Sequence, residues 1–450
     1  MKKNFYIKTK NRFIHTSIPA PGTKSLFKSL SKVESRSMHG QMPIAWDKAK
    51  NFNIFDIAGN KFIDFTSTIF VANIGHLNST LVKYIKLALR KNLLHSYAYI
   101  NKVREKYLKK LILFAGKNFQ KAFLMSAGTE ATEAALKLMR MNGQKQGKRK
   151  LGIICFEGNW HGRTMGAQMM SGNIKQKEWI GYQDPNIYHL PFPYPWILKN
   201  TNPEQFLINS LKKLSKKINL KKDICGVMIE TFQGWGAVYY PKKYIKLLYK
   251  ICKKNNILLA FDEMQSGFAR TGYKFGYEYY GVKPDLICCG KGMGGGIPIS
   301  GVIGKRAIMD LPEVGNMSST HSANPLACYA GLAVLEEINK KKLLQNTKYK
   351  EKILFTKLNQ IKDKFTKEIL YVQGKGLIAA LIFDLNSTNN IKKILKSIVE
   401  KCLSQGLLVV YTGRESIKIG PPLTITKSAL IEGINVLDKA MTEELTKIYK

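Results

Sequence analysis

The sequence predicts an α/β fold built on a mostly parallel sheet, and three observations carry that reading. From about residue 120 to 305, short apolar runs alternate with segments of helical period. Strands separated by helices form βαβ units, whose strands lie parallel. With 450 residues, 45% of them hydrophobic, the chain is long enough for about two or three domains and a sizeable core.

Taken in order, strands are expected at residues 151–156, 226–230, 257–262, 286–289 and 299–303. Helices are expected at 206–214 and 244–252, with Pro241 placed to open the second. A long helix from Asn324 to about Lys342 begins the last third, which then mixes helices with short strands such as 407–411. The expected partition is 1–80 as an N-terminal arm and part of a small domain, 81–330 as the large cofactor-binding domain, and 331–450 as the C-terminal small domain. Around Pro19-Ala20-Pro21-Gly22 the arm reads as extended. Ligands bind at the carboxyl ends of parallel strands, so chemistry is expected just after each run.

Composition narrows the class. The 72 Lys+Arg against 31 Asp+Glu give a formal charge of +41, which invites a nucleic-acid or membrane reading. Lysine, however, far outnumbers arginine and is strewn along helical stretches such as 212–222 and 340–342, the pattern of a solvated basic surface. Neither nucleic acid nor a membrane is therefore expected as partner. No run approaches the roughly 20 apolar residues of a membrane span. The seven cysteines make no C-x-x-C pair, which argues against zinc or a disulfide framework and for a reducing compartment. No metal site is expected. The N-terminal arm is basic up to Glu34 but lacks an Arg-rich amphipathic helix, so the cytoplasm is expected over a transit route.

The first chemical signal is Asp262-Glu263-Met264-Gln265-Ser266-Gly267, at the end of one apolar run. The next run ends in Gly290-Lys291-Gly292, where residues without bulk would let a flat ligand approach the lysine. A carboxylate and a lysine on successive strand ends suit an aldehyde cofactor with a ring nitrogen, the lysine forming an imine and the carboxylate keeping the ring protonated. Gly290 to Gly295 also satisfies G-x-G-x-x-G, but Ile297-Pro298-Ile299 follows where a helix should open, which excludes the dinucleotide reading. Ser126-Ala127-Gly128-Thr129-Glu130 opens a helical segment and is either an anion site or an ordinary capped helix start. Asn159-Trp160-His161-Gly162-Arg163-Thr164 follows another run. Its Trp160 is either core or a platform for a planar ring, and Arg163 can grip a carboxylate.

In this order the pieces resemble the class III pyridoxal-phosphate aminotransferases, the group of acetylornithine, ornithine and 4-aminobutyrate aminotransferases. The resemblance runs from about Pro43 to Glu432, and its most specific part is Asp262 to Gly272 with Lys291. It implies the aspartate-aminotransferase-like architecture (fold type I), with a mostly parallel sheet in a large domain plus a smaller α+β domain. It also implies pyridoxal 5'-phosphate as cofactor and a homodimer with active sites at the subunit interface.

By the same resemblance Lys291 binds the cofactor and shuttles the proton, Asp262 faces the ring nitrogen, and Gln265 reaches the ring hydroxyl. Gly128 and Thr129 hold the phosphate, Trp160 stacks on the ring beside His161, and Glu230 supports from behind. Thr320 reaches the phosphate across the dimer. Arg163 and Ile69 fall at substrate positions, Ile69 having core packing as its equal alternative.

Two departures bear on substrate. The family's Glu-Pro-x-Gln-Gly-Glu-Gly-Gly reads Glu230-Thr231-Phe232-Gln233-Gly234-Trp235-Gly236-Ala237 here, so the second glutamate is Trp235. The arginine before Pro421-Pro422-Leu423 is Lys418. Lysine pairs with a carboxylate as a point charge and not as a fork. The expected reaction is transamination between a primary amine (an ω-amino acid, a diamine or an amino sugar) and a 2-oxo acid. Alternatives are an aminomutase of the glutamate-1-semialdehyde type, an acetylornithine/ornithine-type aminotransferase, and a non-catalytic binding descendant.

Overall fold

The computed structural model describes residues 6–40, 42–387 and 390–449. The first five residues of the expected arm lie outside the described residues. The chain forms two compact units: Ser79–Gly234 with Val238–Leu344, and Met1–Asn78 with Trp235–Ala237 and Gln345–Lys450.

The larger unit is organised by a seven-stranded sheet. Its strands in chain order are β1 (Lys121–Met125), β2 (Gly152–Phe156), β3 (Ile187–Leu190), β4 (Ile224–Glu230), β5 (Leu258–Asp262), β6 (Leu286–Cys289) and β7 (Ser300–Gly304). In space they run β1-β7-β6-β5-β4-β2-β3. β7 is antiparallel to both neighbours, while the pairs β6–β5, β5–β4, β4–β2 and β2–β3 are parallel. Every residue of β4, β5 and β6 is buried, which is why these strands read as unbroken apolar runs. The run expected at 299–303 is the antiparallel strand: only Gly290 to Ile299 separate it from β6, too few for a helical crossover.

Helix α1 (Gly128–Gln144) follows β1. Its Ala131, Ala135, Leu138 and Met139 repeat at helical spacing and bury against Ile153, Met228, Ala260 and Val302 of the sheet. The approach is close enough that a Cβ on Gly226 of β4 would stand 2.2 Å from Met139 Sδ. Helix α2 (Pro203–Ser215) starts on Asn202, whose side chain accepts from Glu204 N. Helix α3 (Lys242–Lys254) packs beside it, capped by Pro241 as expected. α3 buries Tyr244, Ile245, Leu248 and Cys252, a stripe worth about 1.5–3 kcal/mol per large side chain. Helix α4 (Pro325–Lys340), the long stretch expected from Asn324, belongs to this larger unit.

The smaller unit holds an antiparallel four-stranded sheet of Ile369–Lys375, Ile378–Phe383, Ser416–Ile419 and Val410–Tyr411. A second sheet joins Trp46–Lys50, Asn53–Asp56 and Lys61–Asp64 to short strands of the arm. The arm is anchored by Glu432, which accepts from Thr9, Asn11 and Arg12 at 2.6–2.7 Å. The extended reading of the arm gives way at Thr23–Leu30, which is a helix exposing Leu26, Phe27 and Leu30. Its short amphipathic pattern is carried by lysine and serine, not the arginine weighed in the sequence.

One turn in this unit is unusual. Ser67, Thr68, Ile69 and Phe70 are four consecutive non-glycine residues with φ between 46° and 69°. Left-handed backbone costs roughly 1–2 kcal/mol per L-residue, so the surroundings must hold it. Asp64 accepts from the N–H groups of Thr66 and Ser67, and Ser67 Oγ donates to Gly420 O at 2.6 Å. A Cβ on Gly420 would sit 2.1 Å from the Phe70 ring, so glycine is required there.

Candidate active site

The carboxyl ends of β1, β4, β5 and β6 converge on one cavity of about 250 Å³ in the larger unit. Its walls are Gly128, Thr129, Trp160, His161, Glu230, Asp262, Met264, Gln265 and Lys291. The fold therefore gathers eight of the residues expected from sequence, from five separate chain segments.

Lys291 begins a 3-10 turn after β6 and has φ 44°, a left-handed value that a non-glycine residue adopts only when its neighbours impose it. The residue is half-buried, and desolvation pushes its pKa down, opposed by the charges of Asp262 and Glu230. Asp262 ends β5, in register with Glu230 of β4 and Cys288 of β6. One Asp262 oxygen meets His161 Nδ1 at 2.9 Å and the other accepts from Met264 N at 3.1 Å. His161 is fixed in turn by its own N–H donating to Ser171 Oγ at 2.8 Å and its carbonyl accepting from Thr132. Its Nε2 is buried without a partner among the described residues.

Glu230 accepts from Trp160 N at 3.0 Å and Gly234 N at 3.4 Å. Burial pushes its carboxyl up to about 8, with the Asp262 charge adding to the rise and the two N–H bonds opposing it. Since the folded value lies above the ordinary 4.5, this group supports folding fully below about pH 4.5 and loses that contribution as pH rises through 8. We expect the melting temperature of cofactor-stripped protein to fall between pH 5 and 8.5, and Glu230→Gln to flatten that fall. An unchanged slope in the variant counts against a raised Glu230.

The start of α1 supplies the opposite wall. Its N-cap is Ala127, without a side-chain cap, and Glu130 turns back to accept from the N–H groups of Ser126 and Ala127 at 2.9 and 2.6 Å. Helix geometry leaves the next N–H groups, those of Gly128 and Thr129, without intrahelical acceptors, and the helix dipole favours an anion there. A Cβ on Gly128 would lie 2.9 Å from Met264 Sδ, so the backbone comes within reach of the cavity only as glycine. Thr129 Oγ1 is held 2.5 Å from Thr164 Oγ1, which donates to Glu133.

Of the remaining expected residues, Arg163 is exposed with its guanidinium 4.6 Å from the centre of the Trp160 ring. Thr320 is exposed, does not line this cavity, and accepts from His95 through its carbonyl at 2.8 Å. Ile69, Trp235 and Lys418 belong to the smaller unit. Lys418 is buried with its ammonium 4.5 Å from the Phe70 ring centre, and Ile69 lies in the left-handed turn.

Three participants escaped the sequence reading. Met264 lines the cavity, but an apolar residue between two polar ones carries no signal of its own. Glu263 is buried and takes four donors, from Thr231, Ser266, Gly276 and Tyr277, which ties the loop after β5 in place. Arg414 lies 3.9 Å above the ring of Trp235 and pairs with Glu415 at 2.9 Å. It is the only arginine after Arg306, a signal that was available.

A half-buried lysine and a buried carboxylate on adjacent strand ends, facing an anion-binding helix start, define a pyridoxal-phosphate enzyme of fold type I. The residues present fit that cofactor: an amine for its aldehyde, a carboxylate for its ring nitrogen, and a glycine cradle for its phosphate. The family model described as aminotransferase class-III matches residues 35–441, and the chain belongs to that family. It is 32% identical over 415 residues to the acetylornithine aminotransferase of Clostridium acetobutylicum, covering 92% of this chain and 100% of that one. It is 33% identical over 407 residues to the mitochondrial acetylornithine aminotransferase of Candida glabrata, covering 88% and 90%. The fold matches the ornithine aminotransferase of Toxoplasma gondii with TM-score 0.84 at 23% identity, over 94% of this chain and 96% of that one. The protein is a transaminase, and its cofactor is pyridoxal phosphate.

Proposed function

We propose that this transaminase moves an amino group from an ω-amino acid, a diamine or an amino sugar to a 2-oxo acid, with Lys291 as its catalytic residue. The cavity that joins Lys291, Asp262 and the start of α1 carries the first part of this reading. Bound there, pyridoxal phosphate supplies an aldehyde that condenses with amines and a ring that draws electrons from the substrate carbon. Lys291 Nζ would hold the cofactor through its aldehyde and, as a free amine, would take a proton from the substrate carbon. Burial favours its neutral form, the form that accepts a proton. Asp262, oriented by His161, keeps the ring nitrogen protonated. Gly128 and Thr129 would receive the phosphate on their N–H groups, Trp160 would pack against the ring, Gln265 would bind its hydroxyl, and Glu230 holds Trp160 N in place. Thr320 serves the site of a second subunit, so the working unit is a homodimer.

The substrate choice rests on two positions. Where the family has a glutamate and an arginine, this chain has Trp235 and Lys418, with Arg163 and Ile69 as further substrate contacts. A flat apolar wall suits a sugar ring or an extended aliphatic amine, and a lysine grips a carboxylate less selectively than a fork. The named relatives act on acetylornithine or ornithine, the second reading. Single amines added to purified holoenzyme decide between them, followed by decay of the cofactor's visible band. Reaction with ω-amines or amino sugars is expected; reaction with acetylornithine and ornithine alone overturns the proposal. All seven cysteines are buried and unpaired, and no described helix is long and apolar enough to cross a membrane. Both support a cytoplasmic setting.

A further inference from the structure

The lysines that look strewn along the sequence are collected by the fold. Helices α1, α2 and α3 each lead from strand ends near the cavity back to the start of the next strand, so their last turns lie at the end of the sheet remote from Lys291. At that end the chain exposes Lys148 before β2, Lys216, Lys217, Lys221 and Lys222 between α2 and β4, and Lys254 at the close of α3. β2, β4 and β5, which these residues precede, are adjacent in the sheet, so their starts fall within about 10 Å of one another at the usual strand spacing. From residue 205 to 256 no acidic residue is exposed. Asp184, Asp223 and Asp285, set just before β3, β4 and β6, are already in ion pairs with Arg140, Arg149 and the pair Lys253 and Lys305. The cations at this end therefore exceed the local carboxylates.

The chemistry of the face selects its partner. Among the described residues no large apolar side chain is exposed between Ile197 and Val314, so nothing here can insert into a lipid bilayer. The exposed aromatics nearest this end, Trp179 and Tyr182, precede the edge strand β3, and none is exposed among the described residues between Ile197 and Val314. The lysines that precede β4 and β5 therefore have no stacking surface among them, which disfavours single strands. What remains is a set of exposed lysine point charges, which pair with phosphates and are blind to base identity. We propose that this end of the larger unit binds nucleic-acid duplexes through their phosphates, without sequence preference, leaving the cofactor cavity at the opposite end open.

The test uses the holoenzyme and a labelled random-sequence DNA duplex, read by fluorescence anisotropy from 50 to 200 mM salt (about the range over which phosphate contacts are resolved). Binding is expected at 100 mM, with a log–log salt slope of about −4 or steeper. Changing Lys148, Lys216, Lys217, Lys221, Lys222 and Lys254 together to Gln is expected to weaken binding about 30-fold or more and flatten the slope, with transaminase turnover unchanged as proof of folding. A control set on the smaller unit, Lys24, Lys28, Lys32, Lys352, Lys392 and Lys393 to Gln, is expected to retain binding within about threefold. Equal losses in both sets would show diffuse charge and overturn the proposal. So would no binding at 100 mM salt, or tighter binding to vesicles of anionic lipid than to the duplex.

Discussion

Replacing Lys291 by alanine is expected to lower turnover by at least about 10⁴-fold, the upper range for a positioned proton-transfer group, while leaving the fold intact. The argument is geometric. Lys291 lies half-buried at the start of the turn after β6, with Asp262 and Glu230 as the charged neighbours opposing the loss of its proton. No other lysine lines the cavity, so no second amine can take over proton transfer. Alanine keeps the left-handed backbone and its strain, so relief of strain adds nothing; loss of the ammonium removes a desolvated charge, and the melting temperature should hold. Single-turnover measurement of amine half-reactions with loaded protein is the direct check. Turnover within about a hundredfold of the parent would remove Lys291 from its proposed role.

The second large effect is expected at Asp262. Changing it to Asn keeps the shape but removes the charge proposed to face the ring nitrogen, and about 10²–10⁴-fold of activity should go with it. The consequences spread through His161, whose Nδ1 loses its carboxylate at 2.9 Å. Neighbouring Glu230 loses the like charge that helps to raise it, so its titration should move downward. That displacement, followed by the pH dependence of melting in Asp262→Asn, has no counterpart in a merely structural role. If activity survives within about fivefold, the electron-drawing part of the mechanism fails, since proton-transfer groups normally count for far more.

The core of the site was legible because its residues directly follow apolar runs. Asp262 and Lys291 end adjacent strands, and Gly128 opens the first helix; each sits where a buried strand must end and the backbone turns. The direction of β7 was not legible from its composition, since a buried strand reads alike in either direction; only the short link from β6 decides it. Contacts between distant segments stayed hidden for a different reason. The stacking of Arg414 on Trp235 and the wrapping of Glu263 by four donors depend on tertiary placement, and local pattern says nothing of either. The gathering of lysines at one end of the sheet was hidden for the same cause: residues spread along the chain come to that end only after the helices fold back.

The left-handed turn at Ser67–Phe70 has a consequence for how this enzyme can change over evolutionary time. Ile69 is β-branched and carries φ 59°, so its backbone would prefer glycine or asparagine. Glycine at that place would relax the chain but erase the side chain proposed to face the substrate. New specificities reached through this position must therefore either accept its strain or give up the wall, and drift toward greater stability runs against retention of substrate choice.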